Sequence, residues 1–266
     1  MTRIAVLGGG RIGEALLGGL VAAGYDTGDL VVAERSESRA AELADRLGIV
    51  SAPVEEAVRG AGTVVVAVKP QDAVALISQV APVIGKDATV ISLCAGLPTS
   101  LFEGALPEGT PVVRVMPNTP MLLGEAMCAL SAGTHASDDD LARARELLST
   151  VGSTLVLPET KQDVATALSG SGPAYFFLVV ESMIEAGVAQ GLARPDATEL
   201  VVQTALGAAR MLRETGEHPA VLRENVTSPG GTTAAALAQL ERHGIRTAFA
   251  DAVTAAHDRS VELGQG

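Results

Sequence analysis

The sequence is short of aromatic residues. It contains no tryptophan, and phenylalanine, tyrosine and tryptophan together make up 2% of its 266 residues. Hydrophobic residues nevertheless account for 47% of the chain, so its core must be built from alanine, valine, leucine and isoleucine. A chain of this length suffices for one large domain or two modest ones.

Basic residues are scarce as well. The chain carries 19 lysines and arginines against 31 acidic residues, which gives a formal net charge of −12. Nucleic-acid-binding proteins normally show a basic patch, and the sequence has none. We therefore expect no nucleic acid as a partner, and any anionic ligand must be held by a local site working against the global field.

Cysteines and long apolar runs are also few. Cys94 and Cys128 have no metal-ligand spacing, so we expect two buried thiols and no metal site. No uninterrupted apolar run reaches the roughly 18 residues of a membrane span, and the N-terminus lacks the layout of a signal peptide. These observations predict a cytoplasmic protein that does not contact a membrane.

The first part of the chain alternates short β-rich runs with helical stretches. The run Thr63 to Val68 is continuous and largely β-branched, as is typical of central parallel strands covered on both faces. Alternating strands and helices predict an α/β domain with a Rossmann-type parallel sheet over residues 1–158. The other predicted strands are Ile4 to Leu7, Leu30 to Ala33, Thr89 to Leu93, Val112 to Val115, Ala126 to Leu130 and Thr154 to Leu157.

The pattern changes after Pro158, where strand signals stop and helical ones continue. Residues 159–266 are therefore predicted to form an all-α domain. Its helices are rich in small residues, as at Ala205 to Ala209, and such residues allow close packing but bury little area each. We expect this domain to pack against a partner subunit as a dimerisation domain; an ordinary monomeric bundle is the alternative.

A glycine-rich turn follows the first predicted strand. Gly8, Gly10 and Gly13 have the spacing G-x-G-x-x-G, and a helix starts within the motif. The glycines permit a tight turn, close approach of a pyrophosphate and close helix–strand packing. Arg11 and Ile12, at the start of the helix predicted over Ile12 to Ala23, offer backbone N–H groups to phosphates. Residues 1–158 are therefore predicted to bind a dinucleotide; a glycine turn without a ligand is the alternative.

The end of the second strand carries opposing signals for the choice of cofactor. Glu34 stands where an acidic residue grips the ribose 2′-hydroxyl of NAD, whereas Arg35 and Ser36 are suited to the 2′-phosphate of NADP. The guanidinium of Arg35 can turn onto a phosphate while Glu34 turns away, so we favour NADPH, with NADH as the alternative.

Three further loops follow predicted strands and should line the same crevice, because ligands bind at the carboxyl ends of parallel strands. Lys69 could also be a solvated surface lysine, and Asn118 could form a purely structural turn between two prolines. The residues predicted to contact the cofactor from these loops are Val68, Lys69, Pro70, Cys94, Ala95, Gly96 and Asn118.

A loop dense in hydroxyls and glycines, Asn225 to Thr233, separates two predicted helices. Gly230 and Gly231 free the backbone to point several N–H groups one way, and the loop ends at a helix N-terminus. Such a loop suits a small carboxylate. Taken alone, however, it is better explained as a helix N-cap without a ligand.

Five segments together identify the chain as similar to the pyrroline-5-carboxylate reductase family, in family order and spacing over essentially the whole sequence. The most specific is the last. The segments are Gly8 to Gly13, Ala67 to Pro70, Arg114 to Asn118, Ser169 to Tyr175 and Val226 to Thr233.

This resemblance implies an NAD(P)H-dependent reductase that converts 1-pyrroline-5-carboxylate, a small-molecule substrate, to L-proline. It also implies a Rossmann domain followed by a helical domain whose helices interleave in a homodimer, with five dimers forming a decamer in many members. The site is then expected between the cofactor domain and helices of the dimer. Val54 departs from relatives that carry a polar residue reaching the adenosine, which puts that contact in doubt here.

The resemblance also assigns roles within the loop. Thr233 would hydrogen-bond the ring nitrogen as the catalytic residue, and Ser228 with the backbone of Gly231, Thr232 and Thr233 would hold the substrate carboxylate. Asn225 and, less specifically, Glu159 match positions near the substrate.

Two competing interpretations remain at this point. A β-hydroxyacid dehydrogenase would need a catalytic lysine on a helix of the second domain, where Lys161, at its very start, is the one lysine. A non-catalytic NADP-sensing protein would keep the glycine turn and would not need the Asn225 to Thr233 loop.

Overall fold

The computed structural model describes residues 3–265 and divides into two compact units. The first unit comprises Met1–Ser171 and Ala256–Gly266, and the second comprises Gly172–Ala255. The first is an α/β fold and the second is helical, so the predicted fold class is confirmed. The boundary predicted after residue 158 concerns sequence modules, and it stays a prediction.

One eight-stranded sheet organises the first unit, with the strand order β3-β2-β1-β4-β5-β6-β7-β8. The first six strands in this order follow the doubly wound arrangement of dinucleotide-binding folds, in which the strand order reverses beside β1. The strands are β1 Ile4–Leu7, β2 Leu30–Ala33, β3 Val50–Ser51, β4 Thr63–Val66, β5 Thr89–Ser92, β6 Val112–Met116, β7 Ala126–Ala132 and β8 Gly152–Val156.

The prediction of a parallel sheet is wrong for one pair of strands. β6 and β7 are antiparallel, with Val115 opposite Leu130, whereas every other neighbouring pair is parallel. The physical reason is the connection: only the 3₁₀ turn Thr119–Leu123 and a few residues link the two strands, and a parallel crossover needs a dozen residues or more.

Helices cover the sheet on both faces. Helical stretches are found between the strands, as the alternating pattern predicts. The short helices α3 and α5 have five and seven residues, too few to show a helical periodicity in the sequence. The helices of this unit are α1 Arg11–Ala22, α2 Glu37–Leu47, α3 Val54–Val58, α4 Pro70–Val80, α5 Thr99–Ala105, α6 Asp138–Ser149 and α7 Gln162–Ala165, followed by a π-helical segment, Thr166–Gly170.

The core consists of two aliphatic clusters, one on each face of the sheet. Alternate residues of β1 enter different clusters: Val6 packs with Leu16 and Leu20, and Leu7 packs with Ile77 and Phe102. All four residues of β4 are buried, as predicted for a central strand. Because both faces are filled, the site has to form at the edge where the strands end.

The second unit contains only helices among its described residues. α8 and α9 pack against each other, and many large apolar side chains of α8 stay exposed within the single chain, including Phe176, Phe177 and Leu178 at 72%, 66% and 63%. The remaining helices are α8 Gly172–Ala189, α9 Arg194–Thr215, α10 Pro219–Asn225, α11 Thr232–Arg242 and α12 Ile245–Gln265.

One helical stretch, Glu159–Ala189, is long and apolar enough to cross a membrane by length and composition. The sequence analysis looked only for uninterrupted apolar runs. Small and polar residues interrupt this stretch, but its length and mean hydropathy still suffice for a membrane span. A single such helix is weak evidence, since apolar helices of soluble proteins pass the same test. The expectation that the protein does not contact a membrane stays a prediction.

Candidate active site

The glycine turn joins β1 to α1, and its three glycines meet different surroundings. Gly8 has φ +110°, and a Cβ there would lie 2.6 Å from the carbonyl oxygen of Ala67. A Cβ on Gly13 would collide with the carbonyl oxygen of Gly8, whereas one on Gly10 would meet nothing within 4 Å. Gly8 and Gly13 therefore permit the turn and the packing, and Gly10 leaves open space beside the backbone.

The start of α1 has no side-chain cap. Gly10 is the N-cap residue in an extended conformation, and it offers no side-chain acceptor to the first turn. Helix N-terminal N–H groups without such an acceptor, together with the positive end of the helix dipole, form a binding site for phosphate. The open space at Gly10 and this uncapped helix fit the pyrophosphate of a dinucleotide.

A cleft of about 540 Å³ opens at the carboxyl ends of β1, β2 and β4, beside the point where the strand order reverses. Its volume falls within the range of ligand pockets, roughly 300–1,000 Å³. Its lining is formed by Leu7, Gly8, Gly10, Ala33, Glu34, Arg35, Ala52, Pro53, Val54, Ala67, Val68, Lys69, Gln71, Asp72, Ala75, Leu76 and Gln79.

The cleft brings together part of the predicted cofactor set. Gly8, Gly10, Glu34, Arg35, Val68 and Lys69 line it. Val54 lines it with an apolar side chain. The predicted residues outside its lining are Arg11, Ile12, Gly13, Ser36, Pro70, Cys94, Ala95, Gly96 and Asn118, and their contacts with a cofactor stay predictions.

The carboxylate of Glu34 braces the glycine turn. One oxygen accepts a hydrogen bond from the Gly9 N–H at 2.8 Å, and the other accepts from the Ser36 N–H at 3.1 Å. The Ser36 hydroxyl in turn accepts from the Arg39 N–H and caps α2. Glu34 thus connects the turn to the start of α2 and faces the cleft from a fixed position.

The loop after β5 is held by backbone and thiol contacts. The Cys94 thiol donates to the carbonyl oxygen of Val68 at 3.4 Å. Gly96, with φ +78°, lies against Leu263 near the end of α12. Of the three residues predicted here, Ala95 is exposed, whereas Cys94 and Gly96 are buried.

Asn118 is fully engaged in connecting three segments. Its Nδ2 donates to the carbonyl and hydroxyl oxygens of Ser169 at 3.2 and 3.3 Å, and its Oδ1 accepts from the Met127 N–H at 2.9 Å. The amide therefore ties the end of β6 to β7 and to the π-helical segment. This role differs from the local turn considered from the sequence, because the Asn118 oxygen accepts from Met127, nine residues further on, and caps no residue of the following 3₁₀ turn.

Glu159 belongs to a partly buried ion network that sequence reasoning missed. Its carboxylate accepts from the N–H and hydroxyl of Thr99 at 2.8 and 2.7 Å and pairs with Arg114 at 3.3 Å. Arg114, only 6% exposed, also lies 3.9 Å from Asp163, which accepts from the Ser260 hydroxyl. Glu159 thereby holds the start of α5, and its contact with substrate stays a prediction.

The loop between α10 and α11 turns tightly at its two glycines. Gly230 has φ +70°, and the Gly231 N–H donates to the carbonyl oxygen of Ser228 at 3.0 Å. Gly231 is the N-cap of α11 without a side-chain acceptor, and the space where its Cβ would stand is occupied by the Ser228 hydroxyl. This leaves the N–H groups at the start of α11 uncapped, with Thr233 in the first turn.

Comparison with known proteins decides the family. The chain is 46% identical over its whole length to pyrroline-5-carboxylate reductase from Corynebacterium melassecola, and the alignment covers 100% of both proteins. Residues 159–263 match the model described as pyrroline-5-carboxylate reductase dimerisation. The chain belongs to the pyrroline-5-carboxylate reductase family. Residues 3–96 also match the model described as NADP oxidoreductase, coenzyme F420-dependent.

Solved structures of this family share the fold. Pyrroline-5-carboxylate reductase from Coxiella burnetii superposes with a TM-score of 0.94 at 36% identity, covering 98% of each chain. The Plasmodium falciparum enzyme, whose structure contains NADP, gives a TM-score of 0.88 at 30% identity, covering 99% of this chain and 98% of the other.

Several residues that line the cleft were not predicted from the sequence, because no motif marks them. Ala52, Pro53 and Gln79 reach the cleft from the β3–α3 connection and the end of α4. Asp72 carried a weak signal as an acidic residue in the first turn of α4. Its contact with Arg35, 37 positions earlier, depends on tertiary packing that brings the first turn of α4 near the end of β2.

Both cysteines are expected to be unreactive in the folded protein. Burial raises the pKa of Cys94 to about 11 and that of Cys128 to about 12, and the thiolate is the reactive form. At neutral pH, a thiol-specific chromogenic reagent should modify neither residue rapidly and should modify both after denaturation. Rapid modification of the native protein would show that the core around β5 and β7 opens readily.

Proposed function

We propose that this chain reduces 1-pyrroline-5-carboxylate to L-proline with NADPH, with NADH as the alternative cofactor. The observation that carries the proposal is the full-length match to pyrroline-5-carboxylate reductases, together with a cleft at the glycine turn that fits a dinucleotide. When bound, the reduced nicotinamide supplies a hydride. Gly8, Gly10 and the N-terminus of α1 hold the pyrophosphate, and Glu34, Arg35 and Lys69 contact the ribose groups.

Substrate binding is assigned to the loop from Asn225 to Thr233. Its uncapped N–H groups and the Ser228 hydroxyl receive the carboxylate. Local donors of this kind are needed because the chain as a whole has a net charge of −12. Asn225 and Glu159 complete the proposed set of substrate residues.

The chemical demand on the protein is modest. A protonated imine is already electrophilic, so addition of hydride to its carbon sends the C=N π electrons onto nitrogen and yields the secondary amine of proline. The chain's residues have to orient the two reactants. The Thr233 hydroxyl hydrogen-bonds the nitrogen as it becomes an amine.

The decisive assay follows NADPH absorbance at increasing concentrations of pyrroline-5-carboxylate and repeats it with NADH. Formation of proline in step with oxidation of the cofactor supports the proposal. No oxidation with either cofactor would overturn it.

Replacing Thr233 with alanine is expected to lower kcat/KM. The loss should correspond to about 1–3 kcal/mol of transition-state stabilisation, the typical cost of an unpaired polar group. Steady-state kinetics measure the change, and Thr233→Ser should restore most of the activity because it keeps the hydroxyl. Thr198→Ala is the matched control, since the Thr198 hydroxyl donates to the carbonyl oxygen of Arg194 in its own helix. An unchanged rate in Thr233→Ala would remove this residue from the mechanism.

The same assay separates the competing functions. A β-hydroxyacid dehydrogenase would oxidise hydroxy acids and use Lys161, which lies exposed in the 3₁₀ turn Glu159–Lys161. An NADP-sensing protein would bind the dinucleotide without turnover. The intact loop from Thr227 to Thr233 favours the reductase over both.

We further propose that the protein is a cytoplasmic homodimer, assembled through residues 159–266 as its dimerisation and substrate domain, with five dimers forming a decamer. Support comes from the match to a dimerisation model over residues 159–263 and from the exposed apolar residues of α8. Contiguous apolar surface of this kind is typical of protein–protein interfaces.

A further inference from the structure

Three charged side chains meet at one end of the dinucleotide cleft. Glu34 and Arg35 follow β2, and Asp72 lies in the first turn of α4. The Arg35 guanidinium donates to the Asp72 carboxylate at 3.1 Å, with 85% of the Arg35 side chain and 35% of the Asp72 side chain exposed. All three residues line the cleft.

The position of the Glu34 carboxylate favours a hydroxyl and opposes a phosphate. Its two oxygens already accept from the N–H groups of Gly9 and Ser36, yet each oxygen has a further lone pair for a ribose hydroxyl. A 2′-phosphate at this end of the cleft would face the negative charge of Glu34 and would find the Ser36 N–H, at the N-cap of α2, already engaged.

Arg35, which follows Glu34 at the end of β2, is a cationic group placed to bind a phosphate at this end of the cleft. The neighbouring Arg39 pairs with Glu14 and with Glu42 and donates to the carbonyl oxygen of Gly9, so its charge is already balanced. Arg35 itself pairs with Asp72 and must leave or share that carboxylate to bind a phosphate. Because the pair is exposed, the cost of this exchange is small but measurable.

We propose that the choice between NADPH and NADH is set by Arg35 acting against two carboxylates, Glu34 and Asp72. Arg35 attracts the 2′-phosphate, and Glu34 repels it directly. Asp72, in the first turn of α4, pairs with Arg35 and so makes it less available to the phosphate. Asp72 is therefore a positioning residue for the cofactor preference. This inference rests on the proposed function only in that the cleft binds a nicotinamide dinucleotide.

The test measures dissociation constants of NADPH and NADH by the fluorescence of the bound reduced cofactor, without substrate. The ratio of the NADH constant to the NADPH constant should rise about tenfold in Glu34→Gln, which removes a charge beside a phosphate. It should rise up to about fivefold in Asp72→Asn, as expected for an exposed pair. In Arg35→Gln it should fall about tenfold, because a charge-assisted hydrogen bond is lost.

A double variant makes the role of Asp72 specific. If Asp72 acts through Arg35, Asp72→Asn should leave the ratio unchanged in an Arg35→Gln background, as a double-mutant cycle requires of a coupled pair. A shift of equal size in both backgrounds would overturn the positioning role. An unchanged ratio in Glu34→Gln would overturn the repulsion by Glu34.

Controls separate these effects from net charge and from the proposed function. Glu108→Gln and Arg145→Gln make the same charge changes at exposed positions outside the cleft and should not move the ratio. Thermal melts identify any variant that fails to fold, in which case Asp72→Asn alone still tests the exchange. If the unmodified protein binds both dinucleotides but reduces no pyrroline-5-carboxylate, the proposed function fails and the inference stands; binding of neither overturns both.

Discussion

Gly13→Ala is expected to lower the affinity for NADPH about a hundredfold, the size of effect that the loss of hydrogen bonds to a charged group, at about 1.5–3 kcal/mol each, can cause. The new Cβ would overlap the carbonyl oxygen of Gly8. That neighbour is backbone, so the strain cannot be relieved by a side-chain rotation. Either α1 moves away from β1 or the glycine turn opens, and both disturb the N–H groups assigned to the pyrophosphate.

The same substitution should also reduce the free energy of unfolding by about 1–3 kcal/mol, the usual cost of overpacking. Cofactor fluorescence measures the first effect and urea unfolding the second. Wild-type affinity in Gly13→Ala would show that the turn does not carry the pyrophosphate.

Two glycines nearby provide matched controls. A Cβ on Gly10 would meet no atom within 4 Å, so Gly10→Ala should fold normally and yet weaken NADPH binding, because it fills the space through which the pyrophosphate approaches the backbone. Gly18, within α1, is also unobstructed. Gly18→Ala should leave binding intact and stabilise the helix by roughly 0.5–1 kcal/mol.

Arg114→Met should destabilise the folded protein by about 3 kcal/mol, at the lower end of the cost of leaving partners of a buried ion pair uncompensated. The Arg114 side chain is 7% exposed, while its partners Glu159 and Asp163 are 29% and 28% exposed, so water screens part of the loss. Urea unfolding measures the change, and an effect below about 1 kcal/mol would show that solvent satisfies both carboxylates.

A second substitution in the same ion network should partly restore the stability that Arg114→Met removes. Adding Glu159→Gln to Arg114→Met removes one of the two uncompensated charges and should recover part of the lost stability. Arg259→Met is the surface control: Arg259 pairs with Glu262 on the exposed face of α12, with both side chains more than 60% exposed. Such pairs contribute little, so this variant should unfold like the unmodified protein.

Sequence patterns predicted most elements of the first unit because those patterns are local. Thr63–Val66 is a continuous β-branched run, and the glycine spacing from Gly8 to Gly13 requires only a strand and a helix on either side. Local patterns could not show that β7 runs antiparallel to β6, because the relative direction of two strands depends on the three-dimensional path of the segment that connects them.

Candidate site residues divide in the same way. Glu34 and Arg35 were recognised from their distance to the glycine turn, and the structure places both in the cleft. Asn118 is predicted from its loop after a strand, and Glu159 from the family resemblance. In the structure their side chains are committed to Ser169, Met127, Thr99 and Arg114. A motif locates a residue near a site and leaves its hydrogen-bond partners undetermined.

By itself, the sequence determined the fold class, the dinucleotide turn and the family, because each depends on residue types at short, regular spacing. The tertiary structure alone decided which charges face each other. Arg35 meets Asp72 across 37 positions, and Arg114 meets Glu159 across 45. Pairs so distant along the chain come together only when strands and helices pack, and that packing makes Arg114 a buried anchor and Asp72 a partner for the residue that we expect to receive the phosphate.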